Sequence, residues 1–258
     1  MCLLVLALNC HPRYRLVLAG NRDEFHARPA SALGWWLEEP RVLAGRDQQA
    51  GGAWLGASRT GRLGVVTNFR DPDAAPRSAA PSRGELVPGY LTASEPPARF
   101  LEALADRAAE YAGFNLLLAD AEGLHYYSNS TREPPRELPG GVYALSNHRL
   151  DTPWPKVERT RMGFRALLDA AAEPVPNALF SLLADRRPAE ESTPADGPLP
   201  AGLERALSAP FVVQEHYGTR CSSVVLVDRD GRTVVAERRF DALGAQTGAS
   251  RFEFQAAA

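Results

Sequence analysis

The order of strand-like and helix-like segments is the feature that most constrains the fold of this chain. Apolar segments at 3–8 and 15–19 are separated by a short turn that contains Pro12, and segments at 53–57 and 63–68 are separated by a short polar turn. Two apolar segments joined in this way indicate a β-hairpin. Because a hairpin pairs its two strands antiparallel, the sheets are predicted to be mostly antiparallel.

Helical patterns occur in pairs between groups of strands. Ser82, with Glu85 three residues later, is a typical helix N-cap, and apolar residues recur at helical spacing in 96–112. A second pair of helices is predicted at 157–172 and 178–184. The remaining strand patterns, of which the first three are predicted to form a meander, lie at 114–119, 124–128, 142–146, 222–227, 233–240 and 252–254.

This order of elements shows no regular β-α-β alternation. Strands in hairpins and helices in separate pairs predict an α+β fold, and a four-layer αββα sandwich is the compact arrangement of such elements. Residues 1–258 are predicted to form a single domain. A proline-rich stretch near 186–202 is predicted to be a mobile insert within it.

The composition excludes several classes of protein. With 45% hydrophobic residues, 23% charged residues and a net charge of −2, the chain has the balance of a globular protein and no basic surplus for nucleic acid. The apolar run at 3–8 is too short for a secretory signal or a membrane span. We therefore expect a cytoplasmic protein with no nucleic-acid partner and no transmembrane segment.

The cysteines and histidines suggest neither disulfides nor a metal site. The three cysteines, Cys2, Cys10 and Cys221, include no C-x-x-C pair, and the five histidines show no zinc-binding spacing. Free thiols suit a reducing compartment. We predict no bound metal ion and no required cofactor.

Cys2 is a candidate nucleophile. Removal of Met1 would expose a thiol and an α-amine on the same residue, and an α-amine with a pKa of about 7.7 to 8.0 can accept the thiol proton. The alternative is that Cys2 is a small apolar residue packed in a strand.

Charged residues follow the second apolar segment. If the first two strands form a hairpin, residues 21–25 return to the neighbourhood of Cys2, where Asp23 could hold the α-ammonium group and Arg22 could favour a thiolate. The alternative is a surface turn with a local ion pair of little energetic value.

Other candidates lie near glycines and strand ends. Trp54 follows Gly51 and Gly52, which lack the spacing of a phosphate loop, and it either lines a pocket or fills the core. The remaining candidates are polar residues at strand edges, where amide and guanidinium donors could converge on an oxyanion or a carboxylate: Asn68, Asn147 and Arg220.

Together with Met1-Cys2, several motifs resemble the NRDE family of transport and Golgi organisation proteins, which is named for the residues at 21–24. The resemblance runs in order from residue 1 to about residue 240. The motifs that carry it are residues 21–25, 51–56, 67–68, 82–84, 113–117, 145–147, 153–157 and 217–220.

The resemblance implies an N-terminal-nucleophile fold, which is a four-layer αββα sandwich. Hydrolases of that fold, such as penicillin V and bile-salt amidases, use the first mature Cys as nucleophile, with Arg and Asp at the end of the second strand, Asn donors and a later Arg. In those amidases the Arg and Asp are spaced apart, whereas here they are adjacent. The matching positions in this chain are Cys2, Arg22, Asp23, Asn68, Asn147 and Arg220.

The family has been associated with haem trafficking and with lipid or acyl-CoA metabolism. The resemblance therefore implies that this chain binds haem, a lipid or an acyl compound in a pocket near Cys2, with Trp54 and Trp154 as lining residues and arginines for the propionates. The family pattern gives no axial ligand for haem. The alternative function is a cysteine N-terminal-nucleophile amidohydrolase that acts on a small amide or thioester.

Overall fold

The computed structural model describes residues 3–71, 80–170, 176–189 and 201–256. The strands are β1 (Leu3–Leu8), β2 (Tyr14–Phe25), β3 (Ala30–Trp35), β4 (Val42–Asp47), β5 (Leu55–Ser58), β6 (Leu63–Asn68), β7 (Phe114–Ala119), β8 (Leu124–Ser128), β9 (Arg136–Glu137), β10 (Gly141–Leu145), β11 (Tyr217–Asp228), β12 (Arg232–Phe240) and β13 (Gln246–Gln255). The helices are α1 (Leu86–Thr92), α2 (Pro97–Ala105), α3 (Pro155–Ala170), α4 (Pro176–Leu183) and α5 (Ala201–Leu207).

The described strands form two antiparallel sheets. Sheet A has the spatial order β10-β1-β2-β11-β12-β13, and sheet B has the order β3-β4-β5-β6-β7-β8-β9. The predicted hairpins are confirmed: β1 pairs with β2, β5 with β6, and β11 with β12. In sheet A, β2 is a central strand that pairs with β1 on one side and with β11 on the other.

Strand alternation divides the core into three apolar layers. In β1, Leu4 and Leu6 lie in the cluster between the two sheets, whereas Leu3 and Val5 face the helix layer of α3 and α4. A third cluster packs sheet B against α1 and α2. The side chains of a strand alternate between its two faces, so each central strand contributes to two layers. The predicted four-layer αββα sandwich is confirmed.

The predicted meander is wrong in its third strand. Strands β7, β8 and β9 are neighbours in sheet B, but β10 pairs with β1 in sheet A, with Leu145 opposite Leu4. All six residues of β1 are buried, so its backbone groups need hydrogen-bond partners on both sides. Strand β10 provides the partners on the side away from β2.

Other elements differ in extent from the sequence expectation. Strands β3 and β4 were not predicted; each contains a glycine, Gly34 and Gly45, and neither alternates clearly between apolar and polar residues. The second predicted helix, 96–112, ends at Ala105. Within the predicted insert at 186–202, residues 190–200 lie outside the described residues, and α5 begins at Ala201.

Over the described parts of the chain, every helix is too short or too polar to cross a lipid bilayer.

Candidate functional site

Residues 21–24 continue the buried strand β2. Asn21 lies opposite Leu3 of β1 and Ser222 of β11, and Arg22 lies opposite Cys221. The exposed fractions of Asn21, Arg22 and Asp23 are 0%, 4% and 3%. These residues are therefore part of a central strand and not of a surface turn.

Asn21 and Asp23 face the helix side of sheet A. The Asn21 amide donates to the carbonyl oxygens of Leu183 and Pro210, at 2.9 and 2.8 Å, and accepts a 2.6 Å hydrogen bond from the Ser222 hydroxyl. The Asp23 carboxylate accepts a 2.7 Å hydrogen bond from the Thr219 hydroxyl. Both side chains thus fasten β2 to β11 and to the segments above the sheet.

Arg22 faces the other way, into the space between the sheets. Its Cζ atom lies 4.4 Å from the ring centre of Trp54, and its Nη2 atom lies 3.8 Å from carboxylate oxygens of both Glu24 and Asp47. Its Nη1 atom is buried and has no hydrogen-bond partner among the described residues. A buried donor without a partner costs about 1–3 kcal/mol, more when it is charged. None of the described residues accepts from this Nη1 side of the guanidinium group, which we call the free donor edge of Arg22.

The loop from Asp47 to Trp54 supports Arg22 from sheet B. Gly52 packs so closely on Gly84 that a Cβ atom at position 52 would lie 2.3 Å from the Gly84 carbonyl carbon. The Gly84 oxygen accepts a 2.9 Å hydrogen bond from the Ala53 amide. A Cβ atom at Gly45 would lie 2.5 Å from the Trp54 ring. The glycines of this region therefore allow close packing that places Trp54 under the guanidinium group.

Arg220 lies at a bulge in β11, because Thr219 pairs with Asp23 while Cys221 pairs with Arg22. Its Nη1 atom donates to the carbonyl oxygens of Phe25, His26 and Arg28, at 2.8 to 3.2 Å. Burial lowers the pKa of Arg220, and the nearby charge of Arg22 acts in the same direction. Arg220 thus holds the turn after β2.

Asn147 follows the end of β10 and lies beside a buried polar network. Its Nδ2 atom donates to the Asn68 carbonyl oxygen at 3.0 Å, whereas the Asn68 side chain is exposed. The Asn115 amide donates to the Thr67 hydroxyl and to the His148 carbonyl oxygen, at 3.1 and 2.9 Å. The network fixes residues 147–148 of one sheet against β6 and β7 of the other.

Cys2 itself lies outside the described residues, one position before Leu3. Leu3 is opposite Asn21, and Leu4 is opposite Leu145 on the other side of β1. Both neighbouring strands lead past the described end of β1. Strand β2 continues through Arg22, and the segment after β10 continues through Ser146 to Asn147. The register therefore brings these two candidate residues to the start of β1 from opposite sides.

The two predicted tryptophans belong to different layers. Trp54 is in the cluster between the sheets, whereas Trp154 packs against the cluster beneath α3 and α4. The Trp154 ring is 5.8 Å from the ring of His148, which is 5.0 Å from the ring of Phe69. The described residues contain no group of three or more His, Cys, Asp or Glu placed to hold a metal ion.

Glu237 and Cys221 form a buried acidic pair near Arg22 that sequence reasoning missed. Glu237 lies on β12 and accepts a 2.9 Å hydrogen bond from the Leu33 amide of sheet B. Burial raises the pKa of Glu237, and it raises the pKa of the Cys221 thiol well above its ordinary value. Both groups therefore favour their protonated forms.

Asp47 was also missed, although the sequence contains a signal for it. It ends a short apolar segment, and Gly51 and Gly52 follow it, which is typical of a turn begun by an aspartate side chain. Its Oδ1 atom accepts hydrogen bonds from the Gln49 and Ala50 amides.

Comparisons with known proteins identify the family. The family described as Transport and Golgi organisation 2 matches residues 1–242. This chain belongs to that family. It is 35% identical over 257 residues to the Transport and Golgi organization protein 2 homolog of Bos taurus, with 92% of each chain covered. With the Homo sapiens homolog it shares 33% identity over 257 residues, again with 92% of each chain covered.

The structure of this Transport and Golgi organisation 2 family member is similar to that of penicillin V acylase from Agrobacterium tumefaciens. The TM-score is 0.53, the sequence identity is 12%, and the match covers 98% of this chain and 86% of that one. At this identity the likeness shows the fold, which is that of the N-terminal-nucleophile hydrolases, and it does not show the reaction.

Proposed function

We propose that this chain is a cysteine N-terminal-nucleophile hydrolase that cleaves a small amide or thioester. The observation that carries the proposal is the Nη1 atom of Arg22, a buried donor with no partner among the described residues. Leu4, Leu6 and Leu8 all face the space between the sheets. If this alternation extends to position 2, the Cys2 side chain enters the same space as Arg22.

The proposed reaction starts with removal of Met1. The α-amine of Cys2 takes the thiol proton, and the sulfur attacks the substrate carbonyl carbon to form a carbon–sulfur bond. The amide nitrogen or thioester sulfur then leaves with that proton, and water hydrolyses the acyl-enzyme to release the acid. The free donor edge of Arg22 stabilises the negative charge that develops in these steps.

The other predicted residues have supporting parts in this proposal. Asn147 reaches the start of β1 from the side opposite Arg22, and its amide is oriented by the Asn68 carbonyl oxygen. Arg220 holds the turn after β2. Asp23 acts from the far side of the strand, where it fixes Thr219 and, through the Thr219 hydroxyl, the Val212 amide.

Intact-mass measurement and a matched set of cysteine variants test the proposal. We expect purified protein to lack Met1, and we expect Cys2→Ala to abolish turnover on a panel of amides and thioesters. Cys10→Ser is the control, because Cys10 is an exposed thiol whose Sγ atom donates a hydrogen bond to the Leu8 carbonyl oxygen at 3.2 Å. Retention of Met1, or full turnover by Cys2→Ala, would refute the proposal.

A haem or lipid carrier is the second candidate, and the arginines around Glu24 favour it. Arg22 and Arg28 both lie within 4.0 Å of carboxylate oxygens of Glu24 and Asp47. Burial lowers the pKa of Arg83, and the nearby negative charge of Glu24 opposes this shift. With Arg220 nearby, arginines outnumber carboxylates, and the surplus suits haem propionates or another anionic group.

Haem titration tests the carrier function. A saturable Soret change at micromolar protein is expected, and it should weaken in Arg28→Gln, which removes a charge from the cluster and keeps the Cys2 thiol that the hydrolase proposal requires. Trp54→Phe and Trp154→Phe report whether either ring lines the ligand. The absence of a saturable change would remove the haem version of this candidate. Both candidates fit a cytoplasmic location, where an exposed thiol such as that of Cys10 stays reduced.

A further inference from the structure

We propose that Asp47 is a positioning residue for Arg22, an inference that rests on the hydrolase function proposed above. Asp47 ends β4 in sheet B, and its side chain is 14% exposed. Its Oδ2 atom accepts a 2.7 Å hydrogen bond from the Arg28 Nε atom and lies 3.8 Å from the Arg22 Nη2 atom. One carboxylate oxygen therefore faces two guanidinium groups.

The other carboxylate oxygen of Asp47, Oδ1, stabilises the turn that follows β4. Oδ1 accepts hydrogen bonds from the Gln49 and Ala50 amides, at 3.0 and 3.2 Å. The Asp47 amide donates to the Gly52 carbonyl oxygen, and its own carbonyl oxygen accepts from the Gly51 amide. The turn thus fixes the orientation of the carboxylate, so that Oδ2 points at the guanidinium groups.

This arrangement decides which edge of Arg22 is free. The Trp54 ring, whose centre is 4.4 Å from the Arg22 Cζ atom, limits where the guanidinium group can lie but does not determine which of its nitrogens faces the carboxylates. Asp47 and Glu24 both lie on the Nη2 side. Asp47 is the more firmly oriented anchor, because two amides and the Arg28 Nε atom hold its carboxylate, whereas that of Glu24 accepts a hydrogen bond from the neighbouring Phe25 amide. Asp47 therefore turns Nη2 toward itself and leaves Nη1 for the reacting group.

The variant Asp47→Asn separates the role of Oδ1 in the turn from the role of Oδ2 toward the guanidinium groups. The asparagine oxygen can keep the bonds to the Gln49 and Ala50 amides, which places its NH2 group where Oδ2 was. An NH2 group cannot accept from Arg28 and does not attract Arg22. We expect kcat to fall about 30-fold with KM changed less than about threefold, since a misplaced group lowers transition-state stabilisation more than binding.

The turn that Asp120 begins offers a matched control. Its Oδ1 atom accepts from the Glu122 and Gly123 amides, at 2.9 and 3.2 Å, so it repeats the Asp47 turn in the β7–β8 connection. Asp120→Asn should keep kcat within about twofold of the wild type. The loss in Asp47→Asn is then attributable to Oδ2 and not to the turn.

A double-mutant cycle with Arg22→Lys tests whether Asp47 affects turnover through Arg22. Lysine keeps the charge but has no planar fork to orient, so Asp47→Asn should cost less than about threefold in the Arg22→Lys background. An undiminished loss in that background, a loss confined to KM, or full activity of Asp47→Asn would overturn the inference. Cys2→Ala is measured in the same assay: turnover that survives this change overturns the proposed function itself.

Discussion

The buried polar groups on the two faces of β2 at residues 21–24 differ in how completely they are hydrogen-bonded. On the helix side, the Asn21 amide makes three hydrogen bonds, and Asp23 accepts from Thr219. On the side between the sheets, Arg22 has one buried nitrogen without a partner among the described residues. Native proteins satisfy nearly all buried polar groups, and exceptions concentrate at functional sites.

The comparison shows that a four-residue motif can divide into two roles by strand alternation alone. Successive side chains of a strand point to opposite faces, so Asn21 and Asp23 belong to one layer and Arg22 to another. We infer that the first pair maintains the structure and that Arg22 serves the chemistry. The following variants are expected to separate these roles.

The largest expected effect is on stability, in Asn21→Ala. The change leaves the buried Leu183 and Pro210 carbonyl oxygens and the Ser222 hydroxyl without their partner, so the free energy of unfolding should fall by about 3 kcal/mol. Chemical denaturation measures this loss. Ser222→Ala, which removes one of these bonds, should cost about 1 kcal/mol. Equal stability of Asn21→Ala and wild type would contradict a structural role for this face.

The opposite pattern is expected for Arg22→Met. Turnover should fall about 100-fold, which corresponds to ~2.7 kcal/mol of transition-state stabilisation. The free energy of unfolding should change by less than about 1 kcal/mol, because an apolar side chain of similar length fills the space over Trp54 and removes a buried donor that has no hydrogen-bond partner among the described residues. A large loss of stability with turnover retained would reverse our assignment of the two faces.

Much of the fold was accessible from the sequence because hairpins are local. The apolar segments and polar turns predicted the β1–β2, β5–β6 and β11–β12 pairs, and alternation of groups of strands with pairs of helices predicted the layers. The location of β10 was not accessible, since the Leu145–Leu4 pairing joins residues distant in sequence. Nothing in residues 142–146 distinguishes an edge strand of one sheet from that of the other.

The site was accessible only in part, for a related reason. The sequence predicted the proximity of residues 21–24 to the start of β1, because a hairpin fixes it. It did not predict Asp47, because the approach of Asp47 to Arg22 depends on how the two sheets stack. The separation of Trp54 from Trp154 depends on the same stacking. Glu237 was missed because an acidic residue in a polar-looking strand is normally exposed.

A smaller effect, dependent on pH, is expected for Glu237, which also lies between the sheets. Burial raises its pKa above the ordinary value of 4.5, while the Leu33 amide and the charge of Arg239 oppose the shift and Cys221 also contacts it. The native state therefore holds a proton that the unfolded chain releases at lower pH. The free energy of unfolding should fall as the pH rises from about 4.5 through the raised pKa. Glu237→Gln should remove this slope in urea denaturations measured across pH 4 to 8; a slope unchanged by the substitution would exclude Glu237 as its source.

The smallest effect is expected where a polar interaction is exposed, as in the Arg99–Glu102 pair of α2. Their side chains are 74% and 57% exposed, and their closest atoms are 2.8 Å apart. Water can replace either partner, so Glu102→Gln should change the free energy of unfolding by less than about 0.5 kcal/mol and leave turnover unchanged. Denaturation in low and high salt measures any residual contribution. A loss as large as that of Asn21→Ala would mean that burial does not distinguish the polar contacts of this protein, and the contrast between the two faces of β2 would then lose its physical basis.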